Sequence, residues 1–401
     1  MKKPVVAIAK NTSIAKAVFE AMSRIDLPDL DGKKILLKPN VGRNVGKNLG
    51  INTSPTVVHA VYRFLKERYK AEFFLGDSPI LGVNSPKAFV NSGYEFLMKK
   101  KDITFVDLDA AKPVEFPIRN GRILKKIKLV GTIEDYDYII SIPVLKMHMH
   151  TGASLSFKNM KGVIYRREKV KLHQLHAPEK IRKGDKELDI GIADLAYVIK
   201  PDLAVIDAFY AQEGMGPSAG SRKRLNTIIV SDDFLAADVT ALTLVNLDIE
   251  HTPHLKLISK QTSGVSSINE IRTIPDNIKP FQTDFEIPPT EVKIEDKKIN
   301  LIDVSSCSAC LSSVFLFIKN NEPMIQNYFN EYGQLNLAIG KDVKDIPEGS
   351  VIVGNCAKHE KHKGLYIKGC PPSQTIMKIE MQKMLDKKKK VKLGKRIKNR
   401  K

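Results

Sequence analysis

The sequence has no tryptophan and only four cysteines among its 401 residues. Four unevenly spaced cysteines are too few for a small disulfide-stabilised secreted protein, so we expect a reducing environment. The chain also lacks the run of about 18 apolar residues that a membrane-spanning helix requires. The apolar run at residues 5–9 ends at Lys10, which is too short for the core of a signal peptide. We therefore predict a soluble cytoplasmic protein with no membrane span.

Acidic residues are scarce relative to basic ones, since 65 Lys and Arg against 45 Asp and Glu give a formal net charge of +20. Ten of the fifteen residues 387–401 are Lys or Arg and none is acidic, so half of this charge belongs to a C-terminal tail. We predict that the tail is disordered and associates weakly with nucleic acid through phosphate contacts. The tail has no aromatic residue to stack on a base, so we do not expect it to recognise an RNA sequence.

The chain does contain 42% hydrophobic residues, enough for more than one domain with its own core. Short apolar runs alternate with stretches of helical spacing, which is typical of an α/β protein with a mainly parallel sheet and helices on both faces. We predict strands at residues 5–9, 34–38, 72–75, 103–106, 138–141, 203–206 and 227–230, and helices at 13–24, 55–68, 188–199 and 233–245. Asn120-Gly121 predicts a β-hairpin of 113–118 and 123–129, added to this sheet.

Residues 275–291 are rich in proline and polar residues and show no periodic pattern, so we place a linker there. It separates an N-terminal α/β domain, residues 1–274, from a smaller C-terminal α/β domain, residues 292–386. In the second domain we predict a hairpin or paired strands at 292–304, a helix at 310–329, strands at 335–339 and 350–353, and a helix at 373–385.

All four cysteines lie in the C-terminal domain. Cys307 and Cys310 form a Cys-x-x-Cys pair, whereas Cys356 and Cys370 stand in separate loops with thirteen residues between them. Four thiolates are the ligands of iron–sulfur clusters and also of structural zinc. The wide second spacing favours a [4Fe–4S] cluster, with zinc and four unrelated cysteines as the other interpretations.

The segment around the last cysteine, Gly369-Cys370-Pro371-Pro372, is similar to a segment in the small subunits of nickel–iron hydrogenases and in the related subunit of respiratory complex I. This resemblance implies that Cys370 ligates a [4Fe–4S] cluster. The prolines would also begin a helix whose N-terminus favours negative thiolates and sulfides.

Polar loops follow several predicted strands of the N-terminal domain. Because the carboxyl ends of parallel strands form the ligand crevice of an open α/β sheet, we expect these loops to converge. Their lysines and glycines suit a phosphate or carboxylate group, although each loop alone is equally typical of ordinary turn chemistry. The residues that we predict to bind an anionic small-molecule substrate are Lys38, Asn40, Asp77, Ser78, Lys146, Lys158, Asn159 and Lys161.

Three further residues are candidates for proton transfer: His148, Asp207 and Glu213. His148 and His150 lie two residues apart, but the surrounding lysines and arginines would repel a metal cation, so we favour a general acid or base over a metal ligand. Asp207 and Glu213 lie in a predicted loop at 207–217, where they suit proton transfer, a bound cation or a hinge.

Five motifs in this order resemble the prokaryotic family known as domain of unknown function 362, whose members are often called iron–sulfur centre proteins. The motifs are Lys38-Pro39-Asn40, Gly76-Asp77-Ser78, Lys146-x-His148, Lys158-Asn159-x-x-Gly162 and Asp207-x-x-x-x-Gln212-Glu213-Gly214. The resemblance spans about residues 5–250. Many members carry a ferredoxin-type insertion with closely spaced cysteines, whereas this chain has the separate set from Cys307 to Cys370.

Together these observations favour an iron–sulfur oxidoreductase. In this hypothesis a [4Fe–4S] centre transfers electrons to a small anionic substrate or cofactor, and an electron donor such as a ferredoxin supplies them. The alternative is an RNA- or nucleic-acid-associated protein with a structural iron–sulfur or zinc centre.

Overall fold

A computed structural model of the chain describes residues 3–288 and 296–398. The chain divides into two compact units, Met1–Pro288 and Pro289–Lys401. Each unit contains a sheet with helices around it; the larger sheet is parallel through its centre and the smaller one is wholly parallel. The predicted α/β class, with a smaller C-terminal α/β domain, is confirmed.

Ten strands form the main sheet of the first unit, in the order β12-β1-β11-β10-β7-β2-β3-β4, with β8 and β9 attached beside β10. The strands of this unit are β1 (Val5–Lys10), β2 (Lys34–Pro39), β3 (Glu72–Asp77), β4 (Ile103–Asp107), β5 (Val114–Pro117), β6 (Lys126–Leu129), β7 (Tyr138–Ile142), β8 (Val144–His148), β9 (Gly152–Ser154), β10 (Leu203–Glu213), β11 (Ser221–Ser231) and β12 (Arg272–Ile274). Its helices are α1 (Ile14–Met22), α2 (Pro55–Lys66), α3 (Ser85–Asn91), α4 (Glu95–Met98), α5 (Ser156–Asn159), α6 (Glu168–Lys171), α7 (Glu179–Arg182), α8 (Glu187–Asp194), α9 (Phe234–Leu244) and α10 (Pro253–Thr262).

Helices cover both faces of this sheet because its central strands are apolar on both sides. On β1, Ala7 and Ala9 face the core that α1 and α2 fill. Val6 and Ile8 point the other way, into the core formed with α9 and α10. The arrangement on two faces is the one predicted from the alternation of apolar runs and helical stretches.

The sheet divides at Pro143. Up to Ile142 the chain forms β7, which pairs with β2 on one side and with β10 on the other. Proline has no N–H to continue the ladder, and beyond it β8 still pairs with β10 but joins β9 instead of β2. The segment after β7 that carries Lys146 and His148 is therefore a strand, β8.

Two further predictions about the first unit are corrected. The hairpin of β5 and β6 forms, but as a separate two-stranded sheet whose Leu129 bridges to Ile164 rather than to the main sheet. Strand β10 does not end at Ile206, because β11 pairs with it as far as Glu213 after a bulge between Ala208 and Tyr210. The first half of the predicted loop at 207–217 is thus a strand.

The second unit has four parallel strands in sequential order, β13-β14-β15-β16. Its elements are β13 (Ile299–Asp303), α11 (Ser308–Asn320), α12 (Glu322–Tyr332), β14 (Leu335–Ile339), β15 (Ser350–Val353), β16 (Gly364–Ile367) and α13 (Gln374–Lys398). The helix predicted at 310–329 is two helices, since Pro323 begins a new one after Asn321. The predicted hairpin at 292–304 is one strand, β13, and 292–295 lie outside the described residues.

The connection between the units differs from the predicted linker at 275–291. Residues up to Pro288 belong to the first unit, where Thr283 N donates to Leu244 O at 2.9 Å and Phe285 is buried. Residues 289–295 lie outside the described part of the chain.

The C-terminal tail also differs from the prediction. Helix α13 continues to Lys398 and so includes most of the basic segment that we predict to be disordered. In the described part of the chain, no helix is both long and apolar enough to cross a membrane.

Candidate functional site

A buried ion pair joins the ends of β2, β3 and α5. Lys38 Nζ donates to Asp77 Oδ1 at 2.8 Å and to Asn159 Oδ1 at 3.2 Å. Asn159 Nδ2 donates back to Lys38 O at 3.1 Å, and Asp77 Oδ2 accepts from Val41 N at 2.8 Å. Burial lowers the pKa of Lys38, whereas Asp77 acts in the opposite direction. Three of the predicted anion-binding residues are therefore occupied with one another.

Gly162 allows this network to close. A Cβ at this position would lie 2.0 Å from Asp77 Oδ1 and 2.5 Å from Lys38 Nζ. Gly162 O also accepts from Ser78 N at 3.1 Å, which holds the loop after β3 against the turn after α5. The glycine of the Lys-Asn-x-x-Gly motif thus allows the backbone at this position to pack closely against the ion pair of Lys38 and Asp77.

Lys146 bridges the place where the sheet divides. Its Nζ donates to Asn40 Oδ1 in the loop after β2 and to Ile51 O, each at 2.7 Å. The Lys146 side chain is buried, and both acceptors are neutral. Burial, with a smaller contribution from the positive charge of Arg43, lowers the pKa of Lys146 to about 7.

Lys158 is a second buried lysine whose hydrogen-bond partners are neutral. Its Nζ donates to the hydroxyls of Thr151 and Ser154. Burial lowers the pKa of Lys158 well below its usual range, and the positive charges of Lys161 and Lys146 act in the same direction. The structure therefore places several basic groups together in a largely buried region.

Two histidines complete this group. His148 Nδ1 accepts from His150 N at 3.3 Å, so that nitrogen carries no proton. Lys161 Nζ lies 3.5 Å from His173 Nε2. Burial lowers the pKa of both His148 and His173 well below the usual range, and neighbouring positive charges add to the effect. We refer to Lys146, His148, Lys158, Lys161 and His173 as the cationic cluster.

Gln212 lies beside the cationic cluster. It is the register partner of Lys146 on the neighbouring strand, so the two side chains share a face of the sheet. Both polar atoms of its amide are buried and have no protein partner among the described residues. A buried amide without hydrogen bonds costs free energy, so this one indicates a place for a ligand atom or a water molecule.

Asp207, a predicted catalytic residue, holds Ser54, the residue that precedes helix α2. Its carboxylate accepts from Ser54 N at 2.8 Å and from Phe209 N at 3.0 Å. Burial raises the pKa of Asp207 to about 6, while the backbone N–H groups act in the opposite direction. Its observed contacts stabilise the start of a helix.

Glu213 and Ser78 have other partners. Glu213 Oε2 lies 2.9 Å from Lys223 Nζ and accepts from Glu286 N at 3.1 Å, at the end of β10. Ser78 contacts Lys169, whose Nζ donates to the Ser78 carbonyl oxygen at 2.9 Å. The contacts of these two residues, like those of Asp207, are with groups outside the cationic cluster.

Sequence reasoning missed the buried pair of Asp189 and His254. His254 Nδ1 lies 3.6 Å from Asp189 Oδ1, between helices α8 and α10, and both side chains are almost fully buried. The charge of Asp189 also acts on Lys158. No local pattern marks this pair, because its members are far apart in the chain and each lies in an otherwise ordinary helix.

The four cysteines of the second unit all follow carboxyl ends of parallel strands. Cys307 follows β13 and precedes α11, Cys356 follows β15, and Cys370 follows β16. Cys310 is buried in the first turn of α11. A hydrogen bond with Cys307, burial, and the charges of Cys307, Cys370 and Cys356 all raise the pKa of the Cys310 thiol. All three other cysteines are therefore close enough to act on Cys310.

Two hydrogen bonds hold the loop after β15 against the loop after β16. Asn355 N donates to Gly369 O at 2.8 Å, and Gly369 N donates to Asn355 Oδ1 at 3.1 Å. Gly354 has φ +95°, and a Cβ there would lie 3.0 Å from Cys310 Sγ. Within residues 3–288 and 296–398, no three His, Cys, Asp or Glu side chains already stand at the spacing of ligands around one metal ion.

The fold and these sites define an α/β protein with a buried polar site at the division of its main sheet. The chain belongs to the family described as domain of unknown function (DUF362), whose sequence model matches residues 35–243, just over half of the chain. This match covers all five motifs of the first unit and excludes the four cysteines.

Similar proteins include one relative by sequence and two solved structures. A thylakoid-associated protein of Synechocystis sp. is 28% identical over 217 residues, which are 54% of this chain and 64% of that protein. The chain thus spans slightly less than two thirds of that relative. A crystal structure of a protein from Thermotoga maritima is 15% identical, with 59% of each chain covered and a TM-score of 0.31. The lactate racemase apoprotein from Thermoanaerobacterium thermosaccharolyticum is 10% identical, with 61% of this chain and 58% of that chain covered and a TM-score of 0.38.

Proposed function

We propose that this protein is an iron–sulfur redox enzyme. The second unit holds a [4Fe–4S] cluster on Cys307, Cys310, Cys356 and Cys370, and the first unit binds a small anionic substrate or cofactor that receives electrons. The observation that carries the proposal is that the loops after β13, β15 and β16, at the carboxyl edge of one parallel sheet, each carry a cysteine. The electron donor would be a protein such as a ferredoxin.

The residues around the cysteines fit a cluster in three respects. The donor set is four thiols, which is the usual ligand set of a [4Fe–4S] centre. The absence of a side chain at Gly354 leaves space beside Cys310 Sγ. Cys307 lies at the N-terminus of the thirteen-residue helix α11, where the helix dipole favours negative charge. A cluster held there would supply one-electron chemistry.

Side chains of the first unit support the proposal that the substrate is an anion. The cationic cluster brings basic side chains together in one region. Of the nearby carboxylates, Asp77 lies beside Lys38 and Asp189 lies beside His254. A negatively charged ligand would complete the electrostatics of this region, because buried positive charge needs a counter-charge. His148, at the end of β8, would move a proton between the bound ligand and the protein.

Anaerobic purification followed by iron and acid-labile sulfide analysis tests the proposal. We expect about four iron atoms and four sulfides per chain, with a visible absorption that dithionite bleaches. Cys310→Ser should lose most of the iron, because it removes the ligand at the centre of the group. Ser313→Ala, a substitution of similar size in the same helix, should retain it.

Two results would overturn the proposal. Colourless protein with one zinc ion per chain would assign the cysteines to a structural zinc site. A full cluster that neither dithionite nor a reduced ferredoxin reduces would make the centre structural rather than redox-active.

A further inference from the structure

The three buried lysines of the first unit differ in their partners. Lys38 has a carboxylate, Asp77, at 2.8 Å. Lys146 donates to an amide oxygen and a backbone carbonyl, and Lys158 donates to two hydroxyls. Lys146 and Lys158 are nevertheless 7% and 9% exposed, so neither ammonium is solvated as it would be in water. Within the described residues, two buried amines therefore have no carboxylate in hydrogen-bond contact.

Negative charge is scarce around these two amines. Asp189 is the acidic group that acts on Lys158, and it lies beside His254. Asp77 is the acidic group that acts on Lys146, and it is paired with Lys38. The positive or ionisable nitrogen groups that face Lys146, Lys158 and their histidine neighbours are Arg43, His148, His150, Lys161, His173 and His254.

We infer that the cationic cluster binds a small dianion, with one charged group at Lys146 and Gln212 and the other at Lys158 and Lys161, and that binding takes up protons from solution. The inference rests on the anionic substrate of the proposed function and specifies its charge. A monoanion would leave one of the two buried amines without a counter-charge.

Proton uptake follows from the surroundings of the amines. A buried amine without a counter-charge favours its neutral form, and an adjacent anion restores the ammonium. Consistent with this, burial lowers the pKa of Lys146 to about 7 and the pKa of Lys158 well below its usual range. Each neutral amine that meets the ligand therefore takes one proton from the solvent, and no covalent bond forms or breaks.

Gln212 gives the site a neutral contact as well. Its amide has both a donor and an acceptor without a protein partner in the described residues. It neighbours Lys146 across β8 and β10, and a Cβ on Gly216 would lie 3.3 Å from its Oε1. An oxygen of the ligand near Lys146 would accept from Nε2, and this adds affinity without a change of protonation.

Calorimetric titration of the full chain at pH 8 tests the inference. Sulfate and malonate are the dianionic probes, and they separate a tetrahedral oxyanion from a dicarboxylate; acetate is the monoanion. We expect at least one of the two dianions to bind about tenfold or more tightly than acetate. Its binding heat should differ between Tris and HEPES buffers, whose ionisation heats differ, by an amount that corresponds to uptake of about one proton or more.

Variants divide the site into its parts. Lys146→Met and Lys158→Met should each weaken binding of the preferred dianion about tenfold or more and reduce proton uptake. Gln212→Leu should weaken binding and leave proton uptake unchanged. Lys87→Met, at an exposed position, should do neither.

Equal affinity for acetate and both dianions, or a binding heat that does not depend on the buffer, would overturn the inference. Both readouts use the unaltered protein, so a variant that fails to fold does not affect the test. Iron and sulfide content, measured on the same preparation, distinguishes the two proposals. A full cluster without dianion binding contradicts this inference, whereas dianion binding without a cluster contradicts the iron–sulfur proposal.

Discussion

At the scale of single residues, the buried lysines of the first unit differ in the charge of their partners. Lys38 and Asp77 lie in one network with Asn159, where each side chain has a protein partner. Lys146 and Lys158 have the same residue type and similar burial, but only neutral partners. Removing one member of a buried ion pair strongly destabilises a protein, so we expect variants of Lys38 to fail in folding and variants of Lys146 to fail in binding.

Gly162→Ala should destabilise the first unit. The new methyl group would collide with Asp77 Oδ1 and Lys38 Nζ, at 2.0 and 2.5 Å, and the ion pair could not move aside without losing contacts. We expect the free energy of unfolding to fall by about 1–3 kcal/mol, measured by urea denaturation. Gly46→Ala, where the nearest atom is 4.0 Å away, should change it by less than about 0.5 kcal/mol. Equal effects of the two substitutions would contradict the packing argument.

The stability of the first unit should depend on the protonation of Lys146. Its folded-state pKa of about 7 lies below the ordinary value of 10.5, so the unfolded chain binds more protons between these values. The free energy of unfolding therefore rises with pH above 7, and this contribution of Lys146 is lost as the pH falls through 7. Lys146→Met should reduce the rise between pH 7 and 9.5 by on the order of 2 kcal/mol.

Urea denaturation at several pH values measures this effect. The range stops at pH 9.5 because tyrosines such as Tyr138, whose pKa burial raises, titrate with the opposite effect above it. Lys87→Met serves as the control, since that side chain is exposed. Identical pH profiles for Lys146→Met and the unaltered protein would show that Lys146 remains charged in the folded state.

At the scale of elements, the main differences from prediction lie at the ends of strands and helices. The apolar run that predicts β10 ends at Ile206, but the strand continues for seven more residues because β11 supplies hydrogen-bond partners. Pairing of this kind is decided by a distant segment and leaves no local pattern. Helix starts are easier to predict, because proline and capping side chains act on adjacent backbone groups.

Asp233 should contribute to the stability of α9 as its N-cap. Its Oδ1 accepts from Leu235 N and Ala236 N, each at 2.9 Å. Asp233→Ala should lower the free energy of unfolding by about 1 kcal/mol. Asp232, the neighbouring aspartate, is exposed and is the matched control. Thermal denaturation of the two alanine variants measures the difference, and a larger effect at Asp232 would contradict the assignment.

At the scale of the whole molecule, the chain separates its charge and its chemistry by unit. The cationic cluster and the five sequence motifs belong to the first unit, and the four cysteines and the basic helix α13 belong to the second. The net charge of +20 therefore has more than one source in the chain. Half of it belongs to residues 387–401, and the other half is the excess of Lys and Arg over Asp and Glu in the rest of the chain.

The basic end of α13 should determine any salt-sensitive association with RNA. A chain ending at Lys388 loses eight of the ten basic residues of the tail. It keeps Lys388, whose ammonium lies 3.5 Å from the centre of the Tyr332 ring and so belongs to the packed part of the unit. We expect weaker retention on RNA and a shallower dependence of binding on salt concentration.

Retention on immobilised RNA over a range of salt concentrations measures this prediction. A chain that ends at Lys398 loses only two basic residues and should behave almost like the full protein. If the chain that ends at Lys398 lost as much retention on RNA as the chain that ends at Lys388, residues 389–398 would have no part in binding. Unchanged retention in both would remove the nucleic-acid interpretation of the tail.

The sequence by itself determined the α/β class, because alternating apolar runs and helical periods follow directly from the geometry of strands and helices. It also marked the candidate functional residues, since lysine, histidine and cysteine have no substitute for their charge or ligand character. The tertiary structure alone decided their partners. Lys38 meets Asn159 across 121 positions of the chain, and Pro143 separates β8 from β2. Such contacts depend on how distant segments pack, so local residue order does not encode which buried lysine meets a carboxylate and which meets neutral groups.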